Sequence, residues 1–232
     1  MTTTGRKLDS ASILRGLKAM KNRRNILGMA RFGIRGREVL GIPIPVLRNK
    51  ARDIGVDHPL ALRLWDSGIH EARMLAAFID EPSRVTPAQM ERWVREFDSW
   101  DLCDQVCGNL FDRTPYALLK IREWTRRKKE FEKRAGFVLM AAMAVHDKQA
   151  PDRVFLSFFP AIRRGSGDGR NFVKKAVNWA LRQIGKRNAR LNRAAILEAE
   201  RILKSGDPSA RWIAQDALRE LRVHRERFRR GK

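Results

Sequence analysis

Apolar residues recur at intervals of three and four from one end of this chain to the other, and almost no stretch alternates with period two. A chain patterned in this way buries its apolar surface as helices, so the sequence predicts an all-α fold. Helices are expected over 11–30, 45–53, 59–65, 69–79, 87–97, 100–111, 116–125 and 131–146. After a glycine-rich loop over 163–170, three more are expected over 171–185, 191–204 and 208–228. Pro45, Pro59, Pro87 and Pro208 fall at helix starts, where the missing N–H has no intrahelical partner to lose.

Several of these helices begin alike. Arg73, Arg134, Lys175 and Arg211 each stand beside the start of an apolar stripe, at successive intervals of 61, 41 and 36 residues. The two shorter intervals lie in the range of helix-pair repeats, and the longest is wide enough for two units. This spacing predicts a short solenoid of stacked antiparallel helix pairs, a curved body whose concave face is lined by one basic residue per unit. An irregular bundle with coincidental spacing is the competing expectation. A flexible N-terminus over 1–10, one repeat domain over 11–228 and a basic tail over 229–232 complete the expected layout.

Charge then narrows the partner. Lys and Arg total 49 against 26 Asp and Glu, a formal charge of +23, while 43% of residues are hydrophobic. The basic excess therefore sits on a folded surface, which points to a polyanion: DNA, RNA or an anionic membrane. The longest apolar run, Ala135 to Val145, is about half of the ~20 residues that span a bilayer, so it reads as a core helix and nucleic acid is preferred. The polar N-terminus has no signal-peptide core, which makes the cytoplasm, or the nucleoid of a bacterium, the expected location. Cys103 and Cys107 read as a reduced pair, and the four histidines are scattered singly, so neither metal nor cofactor is expected.

Against this charge, the segment Ser99-Trp100-Asp101-Leu102-Cys103-Asp104 stands out. Helical spacing stacks Trp100 and Asp104 on one face, apart from the core side marked by Leu102, Val106 and Leu110. An acid beside an indole in a polyanion-binding protein is a candidate for chemistry rather than affinity. Asp101, near the helix start, is expected to satisfy free amides there. Trp179 falls among Lys175, Arg182 and Lys186, an interleaving that suits stacking on bases or sugars while cations hold phosphates; packing against a neighbouring repeat is the alternative. Arg134 opens the most apolar helix and must reach Glu130, Glu132, solvent or a phosphate. In Gly41-Ile42-Pro43-Ile44-Pro45-Val46-Leu47-Arg48, proline fixes a helix start and is expected to expose amides toward an anion.

Taken in order along the chain, these motifs resemble those of the AlkD-like DNA alkylation repair glycosylases, built of HEAT-like helical repeats. The resemblance runs from about Met29 to Leu221 and rests on Trp100 and Asp104 in SWDLCD, Arg134 in EKRAGF, Trp179 and Arg182 in KKAVNWALR, and GIPIPVLR. It implies a monofunctional DNA glycosylase that excises N3- and N7-alkylated purines from duplex DNA. Asp104 would match the catalytic carboxylate, Trp100 and Trp179 the aromatic pair at the lesion backbone, and Arg134 and Arg182, with Lys175, the DNA contacts. No cofactor, membrane or obligate protein partner is implied, and a monomer is expected. The family's pattern has a further tryptophan just before the one matching Trp100; here Ser99 stands in its place. A noncatalytic DNA- or RNA-binding module and a scaffold for an acidic protein are the other readings.

Overall fold

The structure, a computed structural model, describes residues 9–36 and 38–229. Most of the expected flexible segment 1–10 and of the tail 229–232 lies outside the described residues. Among the described residues there is no β-strand. An isolated bridge joins Glu38 to Ile69, where the His70 N–H donates to the Glu38 carbonyl at 2.9 Å. The chain divides into two compact units, Met1–Thr114 and Pro115–Lys232.

The first unit comprises α1 (Ser10–Ala19), α2 (Arg23–Arg31), α3 (Ile44–Ile54), α4 (His58–Asp66), α5 (His70–Ile79), α6 (Pro87–Arg95) and α7 (Trp100–Asn109). The helix expected over 11–30 is in fact two. Asn22 turns extended and its side chain accepts from the Asn25 N–H at 3.1 Å, a cap that stops one helix and starts the next. Asp57 and Thr86 cap α4 and α6 in the same way, at 2.9 and 3.1 Å. Helices α3, α5 and α7 lie side by side, with α4 packed on α5. Helix α6 meets α4 through Trp65 and Trp93, both fully buried, with ring centroids 3.9 Å apart and planes 2° from parallel. An aromatic pair of this kind adds about 1 kcal/mol beyond the area it buries.

The second unit comprises α8 (Ala117–Trp124), α9 (Glu130–His146), α10 (Asp152–Leu156), α11 (Phe159–Ser166), α12 (Asn171–Gly185), α13 (Ala189–Leu203) and α14 (Pro208–Arg229). The loop expected over 163–170 is corrected by α11, which continues to Ser166. Gly165 marks a close approach rather than a turn, since a Cβ there would run into the buried Phe137 ring of α9. The pairs α8 and α9, α11 and α12, and α13 and α14 pack against each other, and α12 also lies along α9 and α14. Gly136 allows α9 to close on α8, because a Cβ would sit 2.6 Å from the Thr125 amide nitrogen.

Arg73, Arg134, Lys175 and Arg211 stand on α5, α9, α12 and α14, each the second helix of a packed pair. The long interval between the first two holds α6 and α7 as well as α8, the first helix of the next pair. The repeat spacing in the sequence therefore counts helix pairs. No helix among the described residues is long and apolar enough to cross a membrane.

Candidate functional site

Helix α7 turns Leu102, Cys103, Val106 and Cys107 into the core and leaves Trp100 and Asp104 half-buried, one turn apart. The Trp100 indole N–H donates to the Phe32 carbonyl, just past the end of α2, at 2.9 Å. This bond uses the ring edge, so it sets the ring plane without consuming its faces. Ser99 occupies the position before the helix with extended backbone and no exposed surface, so a tryptophan in its place would have to displace its packed neighbours.

Asp101 reaches His70 at the start of α5, its Oδ2 lying 2.9 Å from the imidazole Nε2. Burial pushes the Asp101 carboxyl up, but the bond and charge of His70 outweigh it and hold the group below its ordinary value. Burial likewise pushes His70 down, while Asp101, Glu71 and Asp98 carry it above 6.5 overall. Asp101 is structural, as expected, yet its main partner is an imidazole 31 residues away, and nothing in the local sequence signals that pairing. Cys103 and Cys107 are buried and in no disulfide, and burial pushes the Cys107 thiol well above its ordinary value, away from nucleophilic use.

The amides at Gly41-Ile42 are not open to an external anion. The buried Glu71 carboxylate accepts from Leu40 at 2.8 Å and Gly41 at 2.6 Å, with a longer contact from Ile42 at 3.3 Å. This overturns the expectation from the proline motif: the anion is supplied by the protein, and its work is to tie the start of α3 to α5. Arg73 is also occupied, bonded to Glu96 at 2.6 Å and stacked over Trp65. One of the four repeated basic positions thus serves the fold.

In the second unit Arg134 is 5% exposed and donates to the Phe172 carbonyl at the start of α12. Glu132 pairs with Arg127 and Lys129. Trp179 is half-buried; with the Gln183 amide turned to suit its neighbours, the amide oxygen accepts from Trp179 Nε1 at 2.9 Å and Lys186 Nζ at 3.1 Å. Both candidate tryptophans therefore have their N–H groups held by protein oxygens. Arg182 binds Glu220 at 2.5 Å and approaches Asp216, while Lys175 is exposed. Trp100 and Asp104 share one unit, and Arg134, Lys175, Trp179 and Arg182 share the other. Among the described residues no three His, Cys, Asp or Glu side chains are grouped to hold a metal ion.

Comparison with known proteins bears on this arrangement. A family model described as DNA alkylation repair enzyme matches residues 13–221. No curated protein matches the sequence. A solved structure from a family described as related to the HEAT-like repeat DNA glycosylases, with affinity for branched DNA structures, has a TM-score of 0.74 at 17% identity, over 83% of either chain. At that identity the likeness establishes the fold, a HEAT-like array of helix pairs.

Proposed function

The chain belongs to the DNA alkylation repair enzyme family, and on that premise we propose that it is a monofunctional glycosylase for cationic N3- and N7-alkylated purines in duplex DNA. The observation that carries this reading is the placement of Asp104 on α7. Asp104 stands half-buried one turn from Trp100, an indole of fixed orientation, in a chain of charge +23.

Alkylation at N3 or N7 already places a positive charge on the purine. As the C1′–N bond breaks, its electron pair returns to the base, which leaves neutral without a general acid, and positive charge develops on the sugar. The Asp104 carboxylate stabilises that oxocarbenium-like charge and orients a water, whose oxygen bonds to C1′ while its proton passes to solvent. Trp100 offers a ring face to the same cationic character, and Trp179, in the second unit, offers its own to the DNA strand. Lys175 and Arg182 contact the DNA backbone, whereas Arg134, buried on the Phe172 carbonyl, holds the start of α12 behind them, and the product is an abasic site.

Incubation with duplex DNA containing 7-methylguanine or 3-methyladenine, followed by measurement of free base, tests the activity. Release of either base, with alkali-labile sites in the strand, is the expected result. Tight binding without release would favour a noncatalytic DNA-binding member. Two observations support that second reading: Ser99 in place of the family's tryptophan, and the branched-DNA affinity ascribed to the structurally similar family. Either reading requires binding that weakens with salt at a log-log slope of about −0.9 per neutralised phosphate.

A further inference from the structure

Within the first unit, α3, α5 and the end of α7 enclose a groove of about 590 Å³ that the glycosylase reading leaves unused. Arg48, Arg52 and Arg113 line it, all three exposed, and among the described residues none of them is ion-paired with a carboxylate. Arg48 lies over the Phe78 ring, its guanidinium carbon 5.2 Å from the ring centre, and its Nη2 makes long contacts to the neutral side chains of Gln105 and Asn109, at 3.4 and 3.3 Å. Arg52 turns to the Asn49 side-chain oxygen. Val56, 70% exposed, adds an apolar wall.

Two chemistries meet here. Guanidinium groups without carboxylate partners bind phosphate, with a geometry that lysine does not reproduce. A guanidinium plane held on an aromatic ring, beside a further apolar surface, accepts the face of a nucleobase. Continuous duplex DNA would use only the first, because its bases are stacked inside the helix. A free phosphate would leave the Phe78 and Val56 surfaces empty.

We propose that this groove binds one unpaired nucleotide of a DNA strand, its phosphate on Arg52 and Arg113 and its base stacked on the Arg48 guanidinium beside Val56. Gln105, which contacts Arg48, follows Asp104 directly on α7, so groove and carboxylate share one helix. The inference rests on the DNA-binding part of the function above and does not require excision.

Fluorescence anisotropy on the full chain tests it, with a labelled duplex and the same duplex carrying one unpaired nucleotide. The wild type is expected to prefer the bulged duplex. Arg52→Gln with Arg113→Gln should weaken binding of the bulged duplex about tenfold and of the intact duplex less than twofold. Val56→Glu, an exposed position that the fold tolerates, should have the same selective effect. Arg84→Gln with Arg95→Gln removes equal charge from exposed sites outside the groove and should leave the preference intact. Absence of a wild-type preference, or equal loss on both DNAs in the groove variants, would overturn the proposal. Release of 7-methylguanine by the same preparation reports separately on Asp104, so failure of the catalytic reading and failure of the groove are distinguishable.

Discussion

The two units of this chain answer their buried acids differently. In Met1–Thr114, Glu71 is held by backbone amides, Asp101 by His70, and Asp80 by His58, the Gln89 amide and the Glu81 N–H. In Pro115–Lys232, three partly or fully buried acids are met by cations: Glu198 by Arg163, Asp168 by Arg170 and Lys133, and Glu220 by Arg182 and Lys186. Where amides and imidazoles hold the carboxylates, arginines are left over for an external anion, as at Arg48, Arg52 and Arg113. Where cations do so, part of the positive charge is already matched. A net charge of +23 points to a polyanion, and the partners of individual acids show which cations are left for one. Arg73 with Glu96 and Arg95 with Glu91 depart from this in the first unit, and Arg73 marks a basic repeat position given over to packing.

Replacing the acids one at a time sharpens this contrast. Glu71→Ala strands buried amides in the first unit and should lower stability by about 3 kcal/mol, read as a shift in urea midpoint at constant slope. Asp168→Asn should cost less, about 1.5 kcal/mol. The bond from Arg170, helped by Lys133 against the opposing effect of burial, holds the Asp168 carboxyl below its ordinary 3.8. Its stabilisation is therefore present above pH 3.8 and disappears as pH falls through the lower folded value. An unchanged acid limb in the variant would contradict this assignment.

The His70 and Asp101 pair has a two-sided dependence. His70 is raised above 6.5, so its contribution is full below that pH and disappears as pH rises through the folded value. Asp101 is lowered below 3.8, so its contribution is present above that pH and disappears as pH falls through its folded value. The pair thus stabilises most between pH 3.8 and 6.5, and His70→Gln should flatten the alkaline decline in melting temperature. The smallest effect is expected for Glu220→Gln. Its surface ion pairs should change stability by less than about 1 kcal/mol, while release of Arg182 and Lys186 should tighten DNA binding about threefold. Weaker binding by this variant would mean that Glu220 positions Arg182 rather than masking it.

Much of the helical order was legible because it is local: threes and fours of apolar residues, and prolines at helix starts. The misreadings share a cause in long-range packing. Asn22 looked like part of a helix until its cap geometry was seen, and Gly165 looked like a loop because its reason, the Phe137 ring, lies 28 residues away. The proline motif at 41–48 signalled open amides, and Glu71, some thirty residues on, closes them. Trp100 and Asp104 were legible as a pair one turn apart, but the Phe32 carbonyl that sets the indole plane and the imidazole that holds Asp101 were not. The groove residues Arg48, Arg52 and Arg113 had no shared signal, since only the fold brings α3 and the end of α7 together.

In the proposed function Asp104 supplies the carboxylate that faces the reacting sugar. The direct measurement compares the wild type with Asp104→Asn for release of 7-methylguanine from methylated duplex DNA, with Kd for the same duplex measured in parallel. Release should fall at least about 100-fold while the Kd is unchanged or tighter. Equal release by the two proteins would contradict the assignment.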